Sequence, residues 1–197
     1  MIGITGGIAS GKSVVGQRLQ KLGALVLDAD QLAHQAAEPF TAEWRRIKDV
    51  FPEVIENDFT VNRRLLAQIV FADPQKRRVL EAIIHPYVRF QLQRKAARGK
   101  KEGRHVFCEI PLLYEVGCES WFREIWVVYV EPRIQLERLM QRAQISRDLA
   151  QKMIASQLPL EEKVKKATRI IDNNFSLEHT LKQVDALWEG IKVNDKS

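Results

Sequence analysis

The chain has 197 residues, 45% of them apolar and 28% charged, a balance that builds a hydrophobic core and excludes a disordered protein. Its net charge of +6 arises from 31 basic residues interspersed with 25 acidic ones, which suits an anionic partner: nucleic acid, a membrane surface or a phosphorylated small molecule. No apolar run approaches the ~20 residues that cross a bilayer, and the opening residues do not read as a signal peptide. The two cysteines, Cys108 and Cys118, have no metal-ligand spacing and no disulfide framework, so a cytoplasmic protein is expected.

Met1–Thr5 is a short apolar run that ends in glycines. Lys12–Leu22 then has helical spacing, with Val14, Val15, Leu19 and Leu22 apolar, and Gly23 stops it. Residues 24–30 (ALVLDAD) read as a buried strand leading into two aspartates. From Asp30 to Arg104 there is no convincing strand. Helices are predicted over Gln31–Ala37, Glu43–Phe51 and Arg63–Phe71, then as a pair over Gln75–Ile84 and Pro86–Ala97, with Pro86 in the first turn of the last. This helical stretch is too long for an ordinary crossover and predicts a subdomain.

Strands resume at 105–110 and 124–130, near-continuous apolar runs that suit a parallel sheet buried on both faces. Pro132–Arg142 and Ser146–Gln157 read as helices, with Ser146 an N-cap, and 168–173 as a last short strand. Ser176 caps a closing helix in which Leu177, Leu181, Val184, Leu187, Trp188 and Ile191 share one face. The alternation predicts an α/β fold with ligands at the carboxyl ends of its strands. The basic runs 94–104 and 163–169 lack the interleaved aromatics of a single-strand-binding surface and read as solvated faces.

The strongest chemical signal is Gly6-x4-Gly11-Lys12-Ser13, placed between a strand and a helix. Glycines at this spacing let successive N–H groups turn toward phosphate oxygens. Lys12 is then placed for the β- and γ-phosphates, Ser13 for Mg²⁺, and the helix N-terminus adds its dipole. ATP with Mg²⁺ is the expected ligand. Asp28 and Asp30 lie one residue apart and project to one side of an extended chain; either can orient an attacking hydroxyl, or cap the helix that follows. Among Arg133, Arg138, Arg142 and Arg147, the middle two share a helical face. They read either as stabilisers of a transferring phosphoryl group or as ordinary surface arginines. His85 is a lone histidine before a proline, a structural hydrogen-bonder on its own evidence.

The chain resembles the dephospho-coenzyme A kinase family in residues 3–13 (GITGGIASGKS), 22–34 (LGALVLDADQLAH), 62–74 (NRRLLAQIVFADP), 81–88 (EAIIHPYV), 109–115 (EIPLLYE) and 170–174 (IIDNN). Asp28-Ala29-Asp30, His85-Pro86 and Pro111-Leu112-Leu113 together are the specific part. The resemblance implies a P-loop three-layer fold with a parallel five-stranded sheet. Its core would be 1–30 and 105–197, its lid about 138–160, and 31–104 a helical coenzyme A-binding insertion. It also implies transfer from ATP to the ribose 3′-hydroxyl of dephospho-coenzyme A, with Asp30 as base and Lys12, Arg138 and Arg142 as catalytic cations. ATP would meet Gly7, Ile8, Ala9, Ser10, Gly11, Lys12, Ser13, Val14 and Asn173. The acceptor would meet Asp28, Asp30, Arg63, His85, Glu109 and Leu113.

The sequence departs from the family pattern at Glu109, where aspartate is usual, and at Ala143, Thr168, His34 and Phe40. These leave the phosphate loop and Asp30 untouched. Another small-molecule kinase of the same fold, such as a nucleoside monophosphate or shikimate-type kinase, is the alternative enzyme. A nucleotide-dependent switch or nucleic-acid-associated ATPase would need a water-positioning motif or a concentrated basic face, and neither is evident. Small-molecule substrates only, no nucleic acid or membrane partner, and a monomer or weak homo-oligomer are expected.

Overall fold

The computed structural model describes residues 1–194. Its chain order is β1 (Ile2–Gly6), α1 (Lys12–Lys21), β2 (Leu25–Asp28), α2 (Ala29–Ala36), α3 (Ala42–Val50), α4 (Arg63–Ala72), α5 (Pro74–Lys101), β3 (Val106–Glu109), β4 (Glu124–Tyr129), α6 (Pro132–Ala143), α7 (Arg147–Ala155), α8 (Leu160–Lys165), β5 (Arg169–Asp172) and α9 (Leu177–Asn194). Contacts divide it into two compact units, Met1–Leu27 with Arg98 onward, and Asp28–Ala97.

The first unit is built on a five-stranded parallel sheet in the order β2–β3–β1–β4–β5. All five residues of β1 are buried, as expected of the central strand of a sheet covered on both faces. β1 pairs with β3 on one side, Ile4 opposite Glu109, and with β4 on the other, Gly6 opposite Val128. Successive strands therefore depart from β1 in opposite directions, and a crevice opens at its carboxyl end, where Gly6 begins the glycine-rich loop.

One core cluster joins Ile4, Phe107, Trp126 and Ile171 of the sheet to Val15 and Leu19 of α1 and to Val184, Trp188 and Ile191 of α9. Phe107 and Trp126 meet edge to face, with ring centroids 5.1 Å apart. The predicted apolar face of α9 is narrower than its spacing suggests: Leu177 is 60% exposed, because it opens the helix before the face turns toward the sheet. Cys108 and Cys118 are free and buried. Burial pushes their thiols up to about 12 and about 11, so neither is a reactive thiolate at neutral pH.

Lys163, read from the sequence as part of a solvated basic run, is fully buried. It lies one turn beyond buried Leu160 on the inner face of α8. Its ammonium donates to Glu115 at 2.7 Å and to the Pro111 carbonyl at 3.1 Å. The Glu115 carboxylate also accepts the Leu158 N–H at 2.9 Å. Such pairing is what makes a buried lysine tolerable.

The second unit has its own core of Ile47, Phe51, Val54, Leu66 and Ile83. Thr41 caps α3 by accepting the Trp44 N–H at 3.0 Å, and Asn62 caps α4 by accepting the Leu65 N–H at 2.9 Å. Phe40 and Phe59 both have left-handed backbones, φ 70° and 69°. Their rings lie 5.5 Å apart, and the Trp44 indole donates to the Phe59 carbonyl at 2.8 Å. The predicted helix pair over 75–97 is in fact a single helix, α5, with Pro86 inside it. A proline removes one backbone donor, and the neighbours Ile84, His85, Tyr87 and Val88 are only moderate helix formers, so burial of Ile83, Val88 and Leu92 carries the helix past it.

Trp188→Ala should lower unfolding free energy by about 3–5 kcal/mol, the scale of an emptied aromatic site. Leu177→Ala on the same helix should stay within about 0.5 kcal/mol of wild type. Urea denaturation of both variants checks this, and equal losses would contradict the assignment of the buried face.

Candidate active site

The loop from Gly6 to Ser13 leaves the end of β1 and enters α1. Gly11 precedes the helix with φ 96°, and the Asn173 amide lies against its Cα where a side chain would collide. Only glycine satisfies both demands. Ala9 is also left-handed, φ 58°. The Asn173 Nδ2 donates to the Ser10 carbonyl at 2.8 Å, and its Oδ1 accepts from the Thr180 hydroxyl at 2.7 Å. The Lys12 ammonium bends back over the loop, donating to the carbonyls of Gly6 at 3.1 Å and Gly7 at 2.8 Å.

Beside the loop is a cavity of about 570 Å³ lined by Ala9, Gly11, Lys12, Ser13, Glu109, Arg138, Gln141 and Arg142. Three cations thus face one carboxylate in a space of ligand size. α6 carries both arginines, and packs with α7 through Leu136, Leu139 and Ala150 against Ile8 and Ala9 of the loop. Such a chamber has the charge to hold polyanionic phosphate and to stabilise negative charge that spreads over it during a transfer.

The dephospho-CoA kinase family model matches residues 1–179. The chain belongs to the dephospho-CoA kinase family. It is 45% identical over 190 residues to a dephospho-CoA kinase of Symbiobacterium thermophilum, covering 95% of this chain and 80% of that one. With a dephospho-CoA kinase of Geobacter metallireducens it shares 44% identity over 199 residues, covering 100% of this chain and 99% of the relative. A crystal structure from Thermus thermophilus superposes with a TM-score of 0.85 at 38% identity, covering 96% of each chain.

Within this family framework the fold brings Lys12, Ser13, Arg138, Arg142 and Glu109 to one cavity, although they lie far apart in sequence. Arg63 and His85 meet in another, a mostly apolar cavity of about 310 Å³ in the second unit that His34 and Glu81 also line. Other expectations change. Asp28 caps α2: its Oδ1 accepts the N–H groups of Asp30 at 2.8 Å and Gln31 at 3.1 Å. The strand therefore ends at Asp28, and Asp30 lies in the first turn of the helix rather than beside Asp28 on an extended chain. Leu113, expected to meet the acceptor, is completely buried against the bare Cα of Gly3 and is a core residue. Asn173 holds the loop from behind, with both side-chain groups engaged by protein atoms. The Val14 N–H closes onto the Gly11 carbonyl at 3.1 Å.

Two residues escaped the sequence reading. Gln135 and Gln157 both bond the backbone of Ile8. The one available signal was Gln135 itself, a polar residue beside Leu136 and one turn before Leu139 on the inner face of α6.

The departure at Glu109 has a physical companion in Gly16 of α1: a Cβ there would overlap the Glu109 carboxylate. Helix propensity alone favours Gly16→Ala by about 1 kcal/mol. Steady-state kinetics should instead show kcat/KM reduced at least about tenfold, because the methyl group displaces the carboxylate. Adding Glu109→Asp, one methylene shorter, should restore most of the loss. Normal kinetics for Gly16→Ala would show that the carboxylate's place is immaterial.

Proposed function

We propose that the protein transfers the γ-phosphoryl group of ATP to the 3′-hydroxyl of the ribose of dephospho-CoA, giving CoA and ADP. The observation that carries this reading is the family match over residues 1–179, which takes in both the phosphate loop and the helical second unit. Within Gly7 to Val14, the N–H groups of Ile8, Ser10 and Val14 bond protein acceptors; the other backbone N–H groups of the loop cradle the nucleotide phosphates, and Lys12 swings from its loop carbonyls onto the β- and γ-phosphates. Arg138 and Arg142 meet the charge that develops on the equatorial oxygens. Asp30, in the first turn of α2, takes the proton of the ribose hydroxyl. The second unit is the acceptor domain, where Arg63 and His85 serve the anionic substrate and the apolar cavity walls its uncharged portion.

Mg²⁺ is the metal of this reading. Magnesium bound with substrate phosphates asks the protein for only one or two oxygens. The described residues hold no cluster of three or more His, Cys, Asp or Glu side chains suited to a metal, but the Ser13 hydroxyl and the Glu109 carboxylate line the same cavity. Ser13 would hold the ion, with Glu109 placed for one of its waters; the ion would neutralise charge between the β- and γ-phosphates. The cytoplasm is the proposed location, since both cysteines are free thiols, as a reducing compartment leaves them. No described helix is long and apolar enough to cross a membrane.

ADP release with dephospho-CoA, AMP or shikimate as acceptor tests the assignment. Dephospho-CoA should be favoured at least about a hundredfold in kcat/KM, as expected of a site built around a substrate's polar groups. Comparable rates on the other two would sink it in favour of another small-molecule kinase. Asp30→Asn should lower kcat about 10²-fold or more with ATP binding preserved; an unchanged kcat would remove Asp30 from the chemistry.

A further inference from the structure

Ile8 lies inside the phosphate loop, and both polar groups of its backbone are taken by side chains remote in sequence. Its N–H donates to Gln157 Oε1 at 2.8 Å, and its carbonyl accepts from Gln135 Nε2 at 2.8 Å. The polarity is fixed by chemistry, because a carbonyl can be met only by an amide N–H and an N–H only by an amide oxygen. Gln135 is only 4% exposed, so this is a built contact rather than a passing one.

Gly7 makes the approach possible. A Cβ on Gly7 would overlap the Gln135 amide nitrogen, and Gly7 is not one of the two glycines that the phosphate-binding spacing demands. The two glutamines bracket the helical pair: Gln135 is in the first half of α6, and Gln157 follows the end of α7. Apolar contacts of Ile8 and Ala9 with the same pair reinforce the junction. Arg138 and Arg142 stand one and two turns beyond Gln135 on α6. A hydrogen bond at Gln135 therefore fixes both the rotation and the height of α6 above the loop, and with them the two guanidinium groups that line the cavity.

We infer that Gln135 and Gln157 are positioning residues for phosphoryl transfer. They grip the Ile8 peptide from both sides and register the α6–α7 pair, with Arg138 and Arg142, to the phosphate loop. This rests on the reading of that cavity as the transfer site. The function belongs to the hydrogen-bond polarity, so one substitution should have opposite consequences at the two positions. Gln157→Glu keeps an oxygen to accept the Ile8 N–H. Gln135→Glu loses the donor and sets an anion against a carbonyl.

The test compares kcat, the KM for dephospho-CoA, calorimetric Mg-ATP affinity and melting temperature across Gln135→Glu, Gln135→Leu, Gln157→Glu and Gln157→Leu. Both Gln135 variants and Gln157→Leu should lose at least about tenfold in kcat, while Gln157→Glu recovers most of that loss. For the uncharged leucine variants, Mg-ATP affinity and the acceptor KM should move less than about threefold. On a background lacking both guanidinium groups, Arg138→Ala with Arg142→Ala, Gln135→Leu should cost less than about threefold, because it acts through those two arginines. Should Gln135→Leu fail to fold, Gly7→Ala displaces the same amide and should give the same kcat loss. Equal effects of Glu at both positions, full multiplication with the Arg138→Ala, Arg142→Ala double variant, or a lowered melting temperature with normal kcat would each overturn the inference. A wild-type protein inactive on dephospho-CoA would instead overturn the assigned reaction, a separate and recognisable outcome.

Discussion

The backbone of the phosphate loop is the constraint on which the rest depends. Its N–H groups converge only if Ala9 and Gly11 both hold left-handed conformations, φ 58° and 96°, and for alanine that shape is unfavourable by about 1–2 kcal/mol. Surrounding side chains maintain it. Asn173 takes the Ser10 carbonyl, Thr180 orients Asn173, and the two glutamines hold the Ile8 peptide. Hydrogen bonds to buried partners of this kind are each worth about 0.5–1.5 kcal/mol, enough together to hold the strained conformation.

Much of the first unit can be understood as the support of that loop. β5 sits at the sheet edge beside β4, and it delivers Asn173 to the back of the loop one residue beyond its end. α9 supplies Thr180 in its first turn and anchors itself through Val184, Trp188 and Ile191. On the open side the chamber is cationic, with Glu109 the one carboxylate among its described lining residues and Gly16 leaving room for it. A cavity of this charge attracts polyphosphate and favours the state in which phosphoryl charge is most dispersed.

The motif Gly6-x4-Gly11-Lys12-Ser13 was legible because its chemistry is local: the spacing dictates the turn, the turn creates the nest, and Lys12 follows within it. The strands and most helices were legible for the same reason, through apolar runs and caps such as Ser146. What sequence could not supply were partners distant along the chain. Lys163 in a basic run looks solvated until Glu115 is seen beside it, and Gln157 looks like an ordinary helix end until it meets Ile8. Leu177 and Leu113 failed oppositely, one apolar but exposed, the other assigned to substrate but wholly buried, since periodicity and motif order do not report depth. Asp28 reads from the sequence equally as a cap or as a chemical group, and the amides of Asp30 and Gln31 on its Oδ1 show the cap. α5 shows that one proline does not end a helix whose flanking residues, Ile83, Val88 and Leu92, are held by burial.

If the loop is organised by its protein surroundings rather than by nucleotide, the N–H groups of Ile8, Ser10 and Val14 are already bonded in the free protein, to Gln157 Oε1 and to the carbonyls of Gly7 and Gly11. Amide hydrogen exchange of the nucleotide-free protein measures this directly. The account predicts slow exchange at these three positions, approaching that of β1 and little changed by adding Mg-ATP. Exchange at the rate of an open loop, slowing only when Mg-ATP is added, would show that the nucleotide builds the loop and would contradict the account.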